Sequence, residues 1–268
     1  MKIHRNTLLS GFSVDLAISQ HGYVTTDSSW VCPFLLPTPF SRLYFVTDGS
    51  GVLFSEQEKV VMEPGYVYLV PCGLPCGFYG TDSVTKLYFH VNVILPDGYD
   101  LFLRAKGFAK LPCPVDRTEQ LRKLYFSQDP AEHIRLKACL WEIIGKFAET
   151  EIPDTAFREG YSARVGQAID YIHKHLSANL SVKRVAATLF CSETTLSAAF
   201  RREMGTTVGQ YIEDMVFFEA QQLLLNTQQS IGLISTTLGF SDQFYFTRRF
   251  RKRYGLSPKA YRKLHIRP

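Results

Sequence analysis

No run of eighteen consecutive apolar residues occurs in this 268-residue chain, and its opening MKIHRNTLLSGF has no apolar centre of the kind that directs export. A membrane span and a signal peptide are therefore not expected, and the chain reads as cytoplasmic. Cysteine is scattered: Cys32, Cys72, Cys76, Cys113, Cys139 and Cys191. In a cytoplasmic chain these read as reduced thiols. The close pair Cys72-x3-Cys76 is poor zinc spacing with no other ligands beside it. A phosphate-binding glycine loop, a Ser-His-Asp set and a carboxylate pair in a motif context are also absent. The sequence gives no positive sign of an enzyme and calls for neither a metal nor a cofactor.

The C-terminal part is short of acid. Residues 161–268 hold 15 Lys and Arg against 7 Asp and Glu, whereas residues 1–160 hold 15 against 18. Positive charge gathered in one part is expected where that part meets a polyanion. It is densest from Thr247 to Tyr254, where five basic residues stand with no acid among them. This run closes a longer stretch, Ser230–Gly255. Ser230 is a good helix N-cap, and Ile231, Ile234 and Leu238 follow on one helix face. Gly239 suits a stop and tight turn, Ser241-Asp242 suits a second cap, and Phe246 and Phe250 are spaced to face inward. A short helix, a glycine turn and a basic second helix are the parts of a helix-turn-helix.

The stretch has an earlier echo. Ser181, Thr188, Leu189 and Ser192 align with Ser230, Thr237, Leu238 and Ser241 at a shift of 49 residues. After one inserted residue, Phe200, Arg201 and Gly205 align with Phe250, Arg251 and Gly255. An internal repeat of two such units makes a chance match much less credible. Val208, Tyr211, Ile212, Met215, Phe218 and Leu223 then mark a connecting helix, and Val165, Ile169, Ile172 and Leu176 an earlier one.

Residues 1–100 read as β structure. Arg42–Thr47, Val52–Ser55, Tyr66–Val70 and Lys86–Ile94 are strand-like runs, separated by turn signals at 48–51, 63–65 and 71–73. Short strands so spaced suggest a sandwich or barrel. Alternation in the last run puts Tyr88, His90 and Asn92 on one face. Helical spacing then covers Leu121, Leu124 and Tyr125. After the cap Asp129-Pro130 it covers Leu136, Leu140, Ile143, Ile144 and Phe147. The expected fold is α+β in two domains, residues 1–155 and 162–268, with a linker at 156–161 around which the pattern fades.

At this point the C-terminal part resembles the AraC/XylS family of bacterial transcription regulators. The resemblance rests on Ser230-Ile231, Ile234, Leu238-Gly239-Phe240-Ser241-Asp242, Tyr245-Phe246, Arg249-Phe250-Arg251-Lys252, Gly255, Ser257-Pro258 and Tyr261-Arg262. Two positions depart from the family's habit: Ser235 stands for Ala and Val216 for Arg. The N-terminal part is similar to the cupin-type sensor domain common in the family, through Gly65-x5-Pro71-x-Gly73. The metal-binding histidine of that motif would fall at Cys76, and the earlier His-x-His near Gly51–Phe54, where no histidine stands. The resemblance therefore implies a cupin-like β-barrel or jelly roll without the metal, followed by helices and by an all-α domain of two helix-turn-helix units. It also implies a sequence-specific regulator acting on double-stranded DNA under a sugar-like effector, as a homodimer, with RNA polymerase as a further partner.

Base reading is assigned to the outward face of the second recognition helix, Gln243, Phe244, Thr247 and Arg248, with Arg251 and Lys252 on phosphate and Arg249 as a further phosphate candidate. The corresponding positions of the first unit are Thr194, Thr195, Ser197 and Ala198, with Arg201 and Arg202 following. For the effector the candidates are Trp30, Tyr44, Tyr79, Tyr88 and His90; each aromatic either stacks on a sugar ring or fills core. Two rival functions stay open: a thiol sensor using Cys72 and Cys76, and a cupin enzyme carrying a DNA-binding tail.

Overall fold

The computed structural model describes residues 14–152 and 161–265, which form two compact units. The linker assigned to 156–161 lies outside the described residues, apart from Tyr161.

The first unit is built on one antiparallel sheet of seven strands. These are β1 (Asp15–Thr26), β2 (Val31–Leu36), β3 (Ser41–Phe54), β4 (Lys59–Met62), β5 (Tyr66–Val70), β6 (Cys76–Ile94) and β7 (Ala109–Pro112). The order is β1-β6-β3-β5-β7, with β2 added to β6 and β4 to β3. The two long strands β3 and β6 carry the sheet, pairing from Ser41 with Val91 to Phe54 with Gly77. Asp48–Gly51 is not the turn expected from the sequence. It is a stretch within β3 where the pairing with β6 shifts twice, by an extra residue in β3 between Val46 and Asp48 and by extra residues in β6, 81–83, opposite Ser50. Gly49 takes φ +71°, and a Cβ there would stand 2.0 Å from the carbonyl oxygen of Ser83, so only glycine lets the strand bend here and continue.

Helices α1 (Val115–Phe126) and α2 (Pro130–Glu151) follow. Asp129 caps α2 by accepting from the Ala131 amide at 2.9 Å, and Leu136, Leu140, Ile143, Ile144 and Phe147 are the buried stripe that their spacing predicts.

The second unit is helical: α3 (Ala163–Lys174), α4 (Val182–Thr188), α5 (Glu193–Met204), α6 (Val208–Asn226), α7 (Ile231–Thr237), α8 (Gln243–Tyr254) and α9 (Pro258–His265). The first six each start on a hydroxyl or carboxylate cap: Ser162, Ser181, Ser192, Thr207, Ser230 and Asp242. Each accepts an amide from the third residue of its helix, the tightest being Tyr245 N to Asp242 at 2.7 Å. A cap of this kind contributes about 1 kcal/mol, enough to matter for a seven-residue helix with little else to nucleate it.

The repeat is literal in the structure. Helices α4 and α7 are both 7 residues long, and α5 and α8 both 12, each of the longer pair closed by a glycine in the left-handed region, Gly205 or Gly255. The inserted residue falls in the second turn. Helix α6 buries Val208, Tyr211, Ile212 and Met215 as spaced, but its further core residues are Val216, Phe217, Leu224 and Leu225, with Phe218 and Leu223 only half-buried. The apolar sequence Met215-Val216-Phe217-Phe218 does not itself say which pair points inward.

The two turns differ at one equivalent position. Gly239 takes φ +76°, and in the first pair Phe190 takes φ +51° while 98% exposed. A left-handed backbone strains any residue with a Cβ by about 1–2 kcal/mol. Phe190→Gly is expected to stabilise the chain by about 1 kcal/mol in urea unfolding. Gly239→Ala is expected to destabilise it by at least about 1–2 kcal/mol, because strain is joined by contact. A Cβ on Gly239 would stand 1.9 Å from Ser177 Oγ. Shifts of the same sign in both variants would contradict this reading of the turns.

Candidate nucleic-acid interface and sensor face

Helix α8 sorts its side chains by charge partner as well as by burial. Phe246 and Phe250 are fully buried, and Phe250 packs against Phe217 of α6 at 6.3 Å between ring centroids. Two of its five basic residues also turn toward α6. Arg249 pairs with Glu213 and takes the Tyr245 hydroxyl at 2.9 Å, and Arg253 pairs with Asp214 at 2.7 Å. This corrects the phosphate role offered for Arg249: its guanidinium is bonded within the protein. Arg248, Arg251 and Lys252 are exposed, beside exposed Gln243 and Phe244 and half-buried Thr247. Phe244 is 76% exposed, a large apolar side chain directed into solvent on the most basic helix of the chain.

Asp242 contributes twice at the start of α8. It caps the helix, and its hydrogen bond from the Tyr245 amide holds its carboxyl below the usual range. On α5 the same face is made of small residues. Thr194, Thr195 and Ala198 are exposed and Ser197 half-buried, with Arg201 and Arg202 exposed behind them and Arg202 bonded to Glu203 at 2.7 Å. Each pair thus offers one solvent-facing helix, one of them bulky and basic and the other small and hydroxylic. Val216, standing where the family commonly has Arg, is buried and supplies no polar contact.

Comparison with known proteins follows the same lines. Residues 185–264, which run through both helix pairs, match a helix-turn-helix domain family. The arabinose operon regulatory protein of Escherichia coli is 37% identical over 284 aligned positions, covering 95% of this chain and 92% of that protein. This chain belongs to the AraC/XylS family. It is an AraC-type DNA-binding transcription regulator. A second relative is the Msm operon regulatory protein of Streptococcus mutans, 24% identical over 82% of this chain and 83% of its own length. Among solved structures, ToxT of Vibrio cholerae with an unsaturated fatty acid bound superposes with a TM-score of 0.51. It covers 95% of each chain at 13% identity, a likeness of fold. No described helix is long and apolar enough to cross a membrane.

The five effector candidates of this AraC/XylS member do not all meet. Trp30 and Tyr44 are buried together, rings edge-on at 6.3 Å. Tyr88 lies against the same cluster, opposite Tyr44 in the β3–β6 register. On its other side Tyr88 faces Gly22, where a Cβ would stand 2.8 Å from its ring. His90 is next along, its Nδ1 3.1 Å from Gln20 Oε1 and its ring stacked on Phe40 at 4.5 Å. Tyr79 is elsewhere. It lines an open cleft with Val31, Phe54 and Lys59, whose ammonium is 5.2 Å from its ring. Asn92, on the face of Tyr88 and His90, is held by Asp100 Oδ2 at 2.9 Å and the Pro39 carbonyl at 2.7 Å.

Two residues on this face were not singled out from sequence, Arg42 and Lys86. Arg42 sits opposite His90, and Lys86 opposite Val46. Both are buried. The only signal was alternation: Lys86 and Arg42 fall in phase with Tyr88 and Tyr44, where a basic residue in a strand otherwise reads as an edge or surface position.

The thiol-sensor reading loses support at the same place. Cys72 and Cys76 are both buried, burial pushes the Cys72 thiol well up, and Cys76 accepts from Arg42 Nη1 at 3.3 Å. Cys72, buried and with its thiol pushed up, is a slow nucleophile. Among the described residues, no group of three or more His, Cys, Asp or Glu is placed to hold a metal ion.

Burial brings the Lys86 ammonium down to about 7, from an ordinary value of 10.5. Between these two values the unfolded chain holds a proton that the folded chain rejects, so Lys86 lowers stability as pH falls from about 10 to about 7, with no further loss below. Lys86→Met is expected to gain on wild type by about 1.4 kcal/mol per pH unit as pH falls over that window, in denaturant unfolding at matched pH. A difference independent of pH would contradict a buried ammonium.

Proposed function

We propose that the two helix pairs are two helix-turn-helix units reading successive major grooves of one DNA duplex. The observation that carries this is the sorting of α8. Arg249 and Arg253 are spent on α6, while Gln243, Phe244, Thr247, Arg248, Arg251 and Lys252 are left facing outward on a helix of the right length. Arg248, in the first half of α8, reads a base edge, since a guanidinium can take guanine O6 and N7 together. Arg251 and Lys252, later on the helix, hold phosphate. Helix α5 docks with Thr194, Thr195, Ser197 and Ala198 close against the duplex, and Arg201 and Arg202 reach backbone. The small side chains favour close approach over hydrogen-bonded reading.

The sheet unit is read as a cupin-like barrel that controls the DNA-binding unit through a small molecule. Support comes from the relatives: one takes its name from the arabinose operon, and ToxT has a fatty acid bound. A ligand that binds one arrangement of the chain better than another shifts the population competent for promoter DNA. Two chains pair through α1 and α2, on which Phe126 and Ile134 are exposed.

Arg248 and Arg251 carry the same charge, so their roles separate by sequence dependence. Arg248→Ala is expected to cost about 1–3 kcal/mol on a matched site and to relax preference at one base pair. Arg251→Ala is expected to weaken all sequences alike and to reduce the slope of log affinity against log salt by about one. Salt titrations against matched and single-mismatch duplexes measure both. Equal weakening on every sequence by Arg248→Ala would remove its base-reading role.

A further inference from the structure

The inner end of Lys86 is the least explained group in the sheet unit. The residue is 3% exposed, and its Nζ has no hydrogen-bond partner. It lies 3.4 Å from the centre of the Trp30 ring and 5.4 Å from that of Tyr44. The buried cluster around it is Trp30, Tyr44, Val46, Leu53, Met62 and their neighbours, and Lys86 forms no ion pair among the described residues. The π-faces of Trp30 and Tyr44 give a cation some compensation, but they accept no ordinary hydrogen bond from an ammonium that has three to donate. A buried lysine is normally paired, because desolvating an unpaired ammonium is costly.

A second cation lies in the same layer. Phe78 stacks on Trp30 at 4.5 Å, and the Arg42 guanidinium lies 5.9 Å from the Phe78 ring. The series Arg42, Phe78, Trp30, Lys86 therefore has a buried positive group at each end, and neither forms an ion pair among the described residues. Tyr66, Phe78, Tyr88 and Phe108, packed on the cluster, are only partly buried and form its rim.

We infer that the sheet unit takes an anionic effector, a small carboxylic acid whose carboxylate accepts from Lys86 and whose body lies against Trp30, Tyr44 and Tyr88. The inference rests on the reading of this unit as a small-molecule sensor, and it replaces the neutral sugar expected from sequence with an acid. A neutral hydroxyl would satisfy one N–H of Lys86 but leave its charge uncompensated. A carboxylate does both. The body can be an oxidised sugar or an apolar acid, and both place the same group on Nζ.

Thermal unfolding of the full chain tests it with matched probes: octanoate against octanamide, benzoate against benzamide, and D-galacturonate against D-galactose. At least one carboxylate is expected to raise the melting temperature of wild type by several degrees while its neutral counterpart does not. Lys86→Met should lose that response and Lys86→Arg should keep part of it. Which acid responds separates the oxidised sugar from the apolar acid. Equal response to a neutral counterpart, a full response in Lys86→Met, or no response of wild type to any of the acids would overturn the inference. If Lys86→Met fails to fold, Lys86→Gln serves in its place. DNA affinity measured on the same samples keeps the two readings apart. An acid that binds through Lys86 without altering DNA affinity upholds the site and removes the sensor role. DNA binding that persists while no acid binds leaves the regulator and removes the site.

Discussion

Everything in the helical unit depends on the burial of α6. Its first half is core for one helix pair, with Tyr211 against Phe200 at 5.3 Å, and its second half is core for the other, with Phe217 against Phe240 at 5.9 Å and against Phe250 at 6.3 Å. Burying one such ring contributes on the order of 1.5–3 kcal/mol, so the shared helix outweighs any cap or ion pair in the unit. Two short helix pairs with two or three buried side chains in each helix do not make independent cores. Packed on one helix they become a single body, and the spacing of their outward helices is fixed by packing rather than by a linker.

That constraint explains how the arginines are used. On a helix with five basic residues in eight positions, mutual repulsion would be considerable if all faced one way. Glu213 and Asp214 of α6 take Arg249 and Arg253, which lowers the repulsion and clamps α8 at its inner face. Both pairs are partly exposed, so each contributes little alone. Their effect is to fix which face of α8 is turned outward. The sheet unit treats its buried cations differently. Arg42 and Lys86 are set against aromatic rings, and neither forms an ion pair among the described residues.

Much of this was legible in the sequence because it rests on local rules. The caps Ser181, Ser230 and Asp129, the stripe from Leu136 to Phe147 and the inward Phe246 and Phe250 follow from spacing within one helix or turn, and the repeat with its single insertion from comparing two stretches of the sequence. What was not legible depends on partners distant in sequence. Asp48–Gly51 has the composition of a hairpin turn, and only the pairing of β3 with β6 makes it a bulge. Arg249 and Arg251 cannot be ranked as inward or outward until α6 lies beside them. Lys86 reads as a polar strand residue until Trp30, 56 positions earlier in the chain, closes over it. Tyr79 left the effector group for a similar reason. β6 runs back past Lys86 to Cys76, and beyond the irregularity at 81–83 Tyr79 pairs with Val52 and Val31, whereas Tyr88 pairs with Tyr44 and Gly22.

The central claim is that α6 makes two helix-turn-helix units into one reader of DNA. Hydroxyl-radical cleavage of a duplex selected by the full-length protein tests it most directly. For each bound chain the account predicts two protected patches on one face of the duplex, about 34 Å apart and unlike in sequence, because α5 and α8 present different side chains. A single patch per chain, or two patches of identical sequence, would mean that only one helix pair reads DNA and would contradict the account.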